Sequence, residues 1–360
     1  MLIHFIHFLF WSLATLPTAF LPTLSPHVAQ LTDNLFNDER PLISNNNIFW
    51  QQADGVIICY DINRAYAHEL IQIPESSYFS IDAETMIWQQ RENNQDFIYF
   101  ASTENAGLYR IAAGGNLIQN PQIKRQMLAW CVNHDAGYIL CLLNLKNHKI
   151  RRIHLNQPDK PAICLGSRFL AYSAIDEDQH QVKIMDIRNG SIKTISNPGF
   201  LNGKPFCQGM RVSWEAYDGH DYEIFCYDDY TGFTYRVTDN EFDDLNPRLS
   251  NNMLCWMQTN EHENNIALMQ FDNMTTSILK PNKLKGKYFT MDDDFVVWVN
   301  ESGNNKRLQI YDITAQSYHQ LAHYDCSNAQ PYLLNHLIVW QGFDGTDDEI
   351  FCCRLDTISN

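Results

Sequence analysis

The sequence predicts an all-β fold made of one small sheet repeated eight times, and three observations predict it. Aromatic residues recur on a fixed ruler. The stretch around each of them alternates apolar and polar residues between turn-forming pairs. The last repeat stops one strand short, and the beginning of the chain carries the missing strand.

The ruler consists of Trp50, Trp88, Trp130, Tyr172, Trp214, Trp256, Trp298 and Trp340. The first interval is 38 residues and the next six are 42 each. Other positions keep the same phase. An apolar residue lies ten after every anchor from the second onward (Ile98, Leu140, Val182, Ile224, Ile266, Leu308, Ile350). A proline lies nine before five of them (Pro41, Pro121, Pro205, Pro247, Pro331).

Each repeat reads as four short strands. The first follows the proline, as in "NPRLS", and the second carries the anchor, as in "MLCWMQ". The third is an alternating run, as in "EIFCYD", and the fourth resembles "FTYRVT". Asp-Gly and Thr-Gly pairs stand where the chain must reverse, because they take left-handed turn conformations at low cost. Helical periodicity is absent across residues 30–356. Four strands in ~40–45 residues, repeated, is the sequence form of a β-propeller blade. A single blade cannot cover its own faces, so the anchor ring is expected to pack on the neighbouring sheet, burying ~150–250 Å².

The eighth repeat ends after "IFCCRLD". The segment "HVAQLTDN" (His27 to Asn34) precedes Trp50 at the offset at which "FTYRVTDN" (Phe233 to Asn240) precedes Trp256. The expected fold is therefore an eight-bladed β-propeller of four-stranded blades. Its ring is closed by an N-terminal strand that completes the last blade and leaves no open edge. Residues 20–360 form one propeller domain.

Residues 1–19 read as a signal peptide. The run from Leu2 to Trp11 is apolar but interrupted too soon to span a membrane, and small residues at Ala14 and Ala19 offer cleavage positions. His4 and His7 stand where lysine or arginine is usual, and an uncleaved apolar tail is the other reading. The ten cysteines fall mostly inside apolar strand-like runs, where a thiol acts as a small hydrophobe. Their spacing fixes neither a zinc site nor a disulfide framework.

The repeats resemble the TolB-type β-propeller repeat of exported bacterial proteins. The resemblance is carried by "VTDNEFDDLNPRLSNNMLCWM" and "WEAYDGHDYEIFCYDDYTG" and extends over nearly everything after residue 26. The Trp-Asp signature of WD40 repeats and the double glycine of kelch repeats are absent. The resemblance implies a periplasmic or secreted bacterial protein. TolB carries a further N-terminal domain and fewer blades, so its role in the Tol envelope system is not implied.

A formal charge of −16 repels phosphate backbones and argues against nucleic acid as a partner. No His-Glu-x-x-His, Gly-x-Ser-x-Gly or complete phosphate loop occurs. Two hairpins gather carboxylates: Asp218, Asp221 and Glu223 in "DGHDYE", and Asp344, Asp347 and Glu349 in "DGTDDE". Such loops suit Ca²⁺, but the full ligand spacing is missing, so a solvated acidic turn is the expected state and no cofactor is required. The residue ten before each anchor varies more than its neighbours. Arg40, Tyr78, Asn120, Lys204, Asn246, Tyr288 and Gln330 occupy this place, with Ala162 in the fourth repeat, and would surround a channel mouth.

The expected function is that of a monomeric, non-catalytic, exported binding scaffold. It would recognise a protein or glycan at its rim or channel mouth. The alternatives are a glycan lyase or hydrolase with residues gathered from several blades, and a purely structural envelope component.

Overall fold

The computed structural model describes residues 28–357 except 76, 104–106, 118–120, 135–136, 261–263, 280–288, 303–304, 322–324 and 327–330, together with the backbone of residues 4–5. Eight antiparallel sheets follow one another: six are four-stranded meanders in chain order, and two, blades 2 and 8, carry a fifth strand. This is the architecture of an eight-bladed β-propeller.

Blade 1 comprises Asp38–Ser44, Asn47–Gln52, Val56–Asp61 and Tyr66–Gln72. Blade 5 comprises Leu201–Gln208, Arg211–Tyr217, Tyr222–Asp228 and Phe233–Arg236, and blade 6 runs from Asp243–Leu249 to Thr276–Leu279. In blade 8 the second and third strands, Leu337–Phe343 and Asp348–Arg354, are flanked by Tyr332–Leu334 and Asp325–Cys326 on one side. On the other side lies Ala29–Gln30. A two-residue ladder also sets His4–Phe5 against Tyr109 and Arg110 on the edge of blade 2. The rest of the expected signal peptide lies outside the described residues. No helix among the described residues is long and apolar enough to cross a membrane.

The N-terminal strand completes blade 8 as the repeat offset predicts. Ala29 pairs with Cys352 and Gln30 with Phe351, antiparallel. Leu31 N donates to Ile350 O at 2.7 Å, and Ile350 N donates to Thr32 Oγ1 at 2.8 Å. Blade 5 repeats this arrangement within a continuous stretch. Val237 N donates to Ile224 O at 2.7 Å and Ile224 N to Thr238 Oγ1 at 2.8 Å. The matching words "QLTDN" and "RVTDN" therefore make matching bonds, once across the chain ends and once locally.

The chain forms two compact units, one of residues 1–90, 99–110 and 283–360, the other of 91–98 and 111–282. In the first, Trp50 packs with Ile48, Ile58, Leu337, Val339, Ile350 and the closing residues Ala29 and Leu31, so blades 8 and 1 share one core. Trp340 lies in a second core with Phe295, Val297 and Ile310 of blade 7. In the second unit, Tyr172 joins blade 4 to blade 3, Trp214 joins blade 5 to blade 4, and Trp256 joins blade 6 to blade 5. Each of these anchors thus packs against the blade before its own. Cys59, Cys131, Cys141, Cys164, Cys207, Cys226, Cys255, Cys352 and Cys353 are free thiols. Burial pushes Cys59, Cys131 and Cys226 up to about 12, which leaves them protonated packing groups.

The anchors differ in how their indole N–H is satisfied. Trp214 Nε1 donates to Asn202 Oδ1 at 2.8 Å and Trp256 Nε1 to Asp244 Oδ1 at 2.9 Å, both acceptors lying on the first strand of the same blade. Trp298 Nε1 is buried with no partner. Trp214→Phe strands the buried Asn202 carbonyl, whereas Trp298→Phe removes an unpaired donor. Equilibrium unfolding is expected to show Trp214→Phe as the more destabilising by about 1–2 kcal/mol, and equal losses would refute this account. Thr32→Val leaves the buried Ile350 N–H without its acceptor and should cost about 1–3 kcal/mol in the same measurement.

Candidate functional site

In blades 1, 5 and 6 the first strand carries a proline within it, Pro41, Pro205 or Pro247, which has no N–H for the ladder. Blades 1, 5 and 6 absorb it with a register shift, between Glu39 and Leu42, Asn202 and Pro205, and Leu245 and Arg248. Such bulges re-aim the side chains they contain. Arg40, Lys204 and Asn246, each the residue just before the proline, sit in these three bulges. Arg40 and Asn246 adopt φ of 57° and 55°, a left-handed conformation that a non-glycine residue holds only where its surroundings enforce it.

In the first unit the structure brings Arg40 and Tyr78 together. Arg40 Nη1 donates to Ser77 O at 2.8 Å and to Gln51 Oε1 at 2.9 Å, and its guanidinium lies 5.1 Å from the centre of the Tyr78 ring. Tyr78 remains 56% exposed. A fixed planar cation therefore backs an open aromatic face. In the second unit Lys204 is exposed. Asn246 is half-buried, and its backbone N–H donates to Glu215 Oε2 at 2.9 Å. Two residues on, Arg248 stacks on Phe206 at 5.0 Å. Asn120, Tyr288 and Gln330 lie outside the described residues.

The two acidic hairpins are built alike. Asp218 accepts from His220 N at 2.9 Å and Asp344 from Thr346 N at 2.7 Å, closing tight turns in which Gly219 and Gly345 take φ of 108° and 115°. These backbone donors hold both carboxyls below their usual range. Each turn feeds a glutamate that is wholly buried, Glu223 or Glu349. Glu223 Oε1 accepts from Asn240 N at 2.8 Å, and Glu349 Oε1 accepts from Asn34 N at 3.0 Å.

Of the six carboxylates expected to group within the hairpins, Asp218 with Glu223 and Asp344 with Glu349 do so. Each pair gathers a third acid from another strand, Asp239 and Asp33 respectively. Asp221 and Asp347 stay outside these groups; Asp221 Oδ2 lies 3.4 Å from His220 Nδ1, and Asp347 Oδ1 is buried without a hydrogen bond. Behind each glutamate lies a further buried acid, Asp244 or Asp38. Asp33, Asp38, Asp239 and Asp244 do not stand out in the hairpin sequence because they belong to the following repeat. The shared words "LTDN" and "VTDN", each with an aspartate four residues after the asparagine, are the signal that would have found them.

Among the described hydrogen bonds one hydroxyl meets an imidazole, Ser317 Oγ with His319 Nε2 at 2.9 Å, on the last strand of blade 7. Among the described residues no carboxylate bonds that histidine, so the pair lacks there the orienting third group of a hydrolytic triad.

No protein-family model matches the chain, and no curated protein does. Solved structures do. The computationally designed Ika8 protein matches with a TM-score of 0.59 at 12% identity, over 89% of this chain and 98% of its own. An oligogalacturonate lyase in complex with manganese matches with a TM-score of 0.54 at 10% identity, over 89% of this chain and 98% of its own. TolB from Acinetobacter baumannii is also similar, at a TM-score of 0.42 and 13% identity over 81% of this chain and 79% of its own. At these identities the first two show the fold alone, and the third is more distant still.

Burial pushes the Asp244 carboxyl up to about 6, against the opposing effect of bonds from Asn240, Thr238 and Trp256 and with a contribution from the charge of Glu223. The folded chain thus holds this proton more tightly than the unfolded chain, where an aspartate titrates near ~3.9. The resulting stabilisation is complete below that value and is lost as pH rises through about 6. Thermal unfolding is expected to show the Tm gap between wild type and Asp244→Asn narrowing from about pH 4.5 to about pH 7.5. A gap that stays constant over this range contradicts the assignment.

Proposed function

We propose that this chain is a binding propeller without catalytic activity, which takes a carboxylate-bearing protein or glycan partner on the bulged first strands of its blades. The arrangement of Arg40 and Tyr78 carries this reading. A strained backbone, two hydrogen bonds and a ring contact fix a guanidinium beside an exposed phenol. Such a group meets a ligand already ordered and loses little entropy on binding. Exposed Lys204 and the strained Asn246 supply a second cation and an amide at the equivalent place in other repeats.

The negative charge of the whole chain gives these cations their selectivity, because an acidic partner is repelled elsewhere on the surface. Export to the periplasm or the medium is supported by the apolar N-terminus and by the resemblance to the TolB-type repeat. A monomer is the expected state. The lyase shares the fold alone.

The test is a binding screen of the purified chain against arrayed glycans and envelope proteins, followed by variants. Tyr78→Ala leaves the fold intact, since the ring is exposed, and is expected to weaken binding about 10-fold or more. Lys204→Ala is expected to have a smaller effect that diminishes with salt. Unchanged affinity in both variants, or chemical turnover of a bound glycan, would overturn the reading.

A further inference from the structure

Successive repeats place Cys164, Phe206 and Arg248 at one position, eight residues before their anchors Tyr172, Trp214 and Trp256. Cys164 lies on Ile163–Leu165, the first strand of blade 4, and Cys207 follows Phe206 on the first strand of blade 5. These strands belong to separate sheets, so no backbone ladder joins them. The two cysteines meet across the gap. Cys207 N donates to Cys164 Sγ at 3.3 Å, and Cys207 Sγ donates to Cys164 O at 3.0 Å. The two thiols are also hydrogen-bonded to each other. Gly166 leaves room for this contact, since a Cβ there would stand 3.0 Å from Cys207 Sγ.

Burial alone leaves a thiol protonated and inert, as at Cys59, Cys131 and Cys226. Cys164 differs from these. The bond from the Cys207 thiol holds the Cys164 thiol below its usual range against the effect of burial, and the Cys207 N–H and the charge of Arg248 act in the same direction. Arg248 is itself held on the ring of Phe206, at 5.0 Å. The same thiol–thiol bond, together with burial, pushes Cys207 well up. Cys164 is half-buried and Cys207 is buried. One sulfur is thus prepared to attack, and the other keeps its proton beside it.

We propose that Cys164 and Cys207 are a redox dithiol that a small disulfide such as oxidised glutathione converts to a disulfide between blades 4 and 5. The Cys164 thiolate attacks one sulfur of the small disulfide, forming a mixed disulfide and releasing one thiolate. Cys207 then gives its proton to water and attacks Cys164 Sγ, forming the Cys164–Cys207 bond and releasing the second thiolate. Two cysteine thiols are oxidised, and one small disulfide is reduced to two thiols. The product adds a covalent tie between two sheets that share a core. This chemistry needs no bound partner, so partner binding on the bulged strands neither supports nor weakens it.

The test is incubation of the folded full chain with oxidised glutathione, followed by alkylation of the remaining thiols and peptide mapping by mass spectrometry. Wild type is expected to lose the mass of two hydrogens and to yield a cross-linked peptide that joins Cys164 to Cys207. Cys207→Ser is expected to stop at the mixed disulfide, with one glutathione on Cys164, whereas Cys164→Ser is expected to carry none on Cys207. Oxidised wild type is expected to melt about 3–8 °C above the chain reduced with dithiothreitol, a gap that Cys207→Ser lacks. Absence of the bond, glutathione on Cys207 in Cys164→Ser, or equal melting of the oxidised and reduced chains overturns the proposal. Should a variant not fold, the wild-type peptide map alone decides, and a bond from Cys164 to any other cysteine refutes the pairing.

Discussion

The structure depends on burying a large ring between a blade and the blade before it within each of the two units. A four-stranded sheet has two apolar faces and no means of covering them alone. Trp50, Tyr172, Trp214, Trp256 and Trp340 solve this locally, each inserted into a core that two successive blades share. Such a core needs a complete sheet on either side. An eighth blade lacking its outer strand would expose the third strand, with Ile350 and Cys352 on it, to solvent. The pairing of Ala29 and Gln30 with that strand is therefore a requirement of the same packing that places the anchors.

A scaffold so uniform leaves its chemistry to the places where one repeat departs from another. The prolines within the first strands go with bulges, and the bulges turn Arg40, Lys204 and Asn246 away from the alternation that the rest of the strand obeys. The acidic corners show the same logic in reverse. Their geometry is conserved within the chain down to the bonds of Thr32 and Thr238, and the exchange of Arg236 for Gln30 alters the charge balance without altering the frame. Repetition supplies rigid positions, and single substitutions give those positions different properties.

The blade count, the strand order within a blade and the closing strand were legible in the sequence, because each is set by interactions between residues at fixed chain spacing. The side-chain clusters were legible only in part. Asp218 and Asp344 could be seen to open tight turns, since a turn is a local object. The third member of each cluster could not, because Asp239 and Asp33 are counted with the next repeat although they fold back on the preceding one. Arg40 and Tyr78 were singled out one by one from a variable column. That a guanidinium would lie along the ring of a residue one repeat away depends on the twist of two sheets, which periodicity does not encode.

By itself the sequence determined that this chain is a propeller and the four-strand pattern of its repeats, because hydrophobic spacing and turn chemistry act over a few residues and recur in each repeat. The tertiary structure alone decided which charges meet. Glu223 and Glu349 are both wholly buried, but Glu223 shares an arginine with two other acids, whereas the closing strand carries Gln30 in that arginine's place. The physical reason is that burial and ion pairing depend on distances across strands, and those distances are fixed only once the sheets have packed.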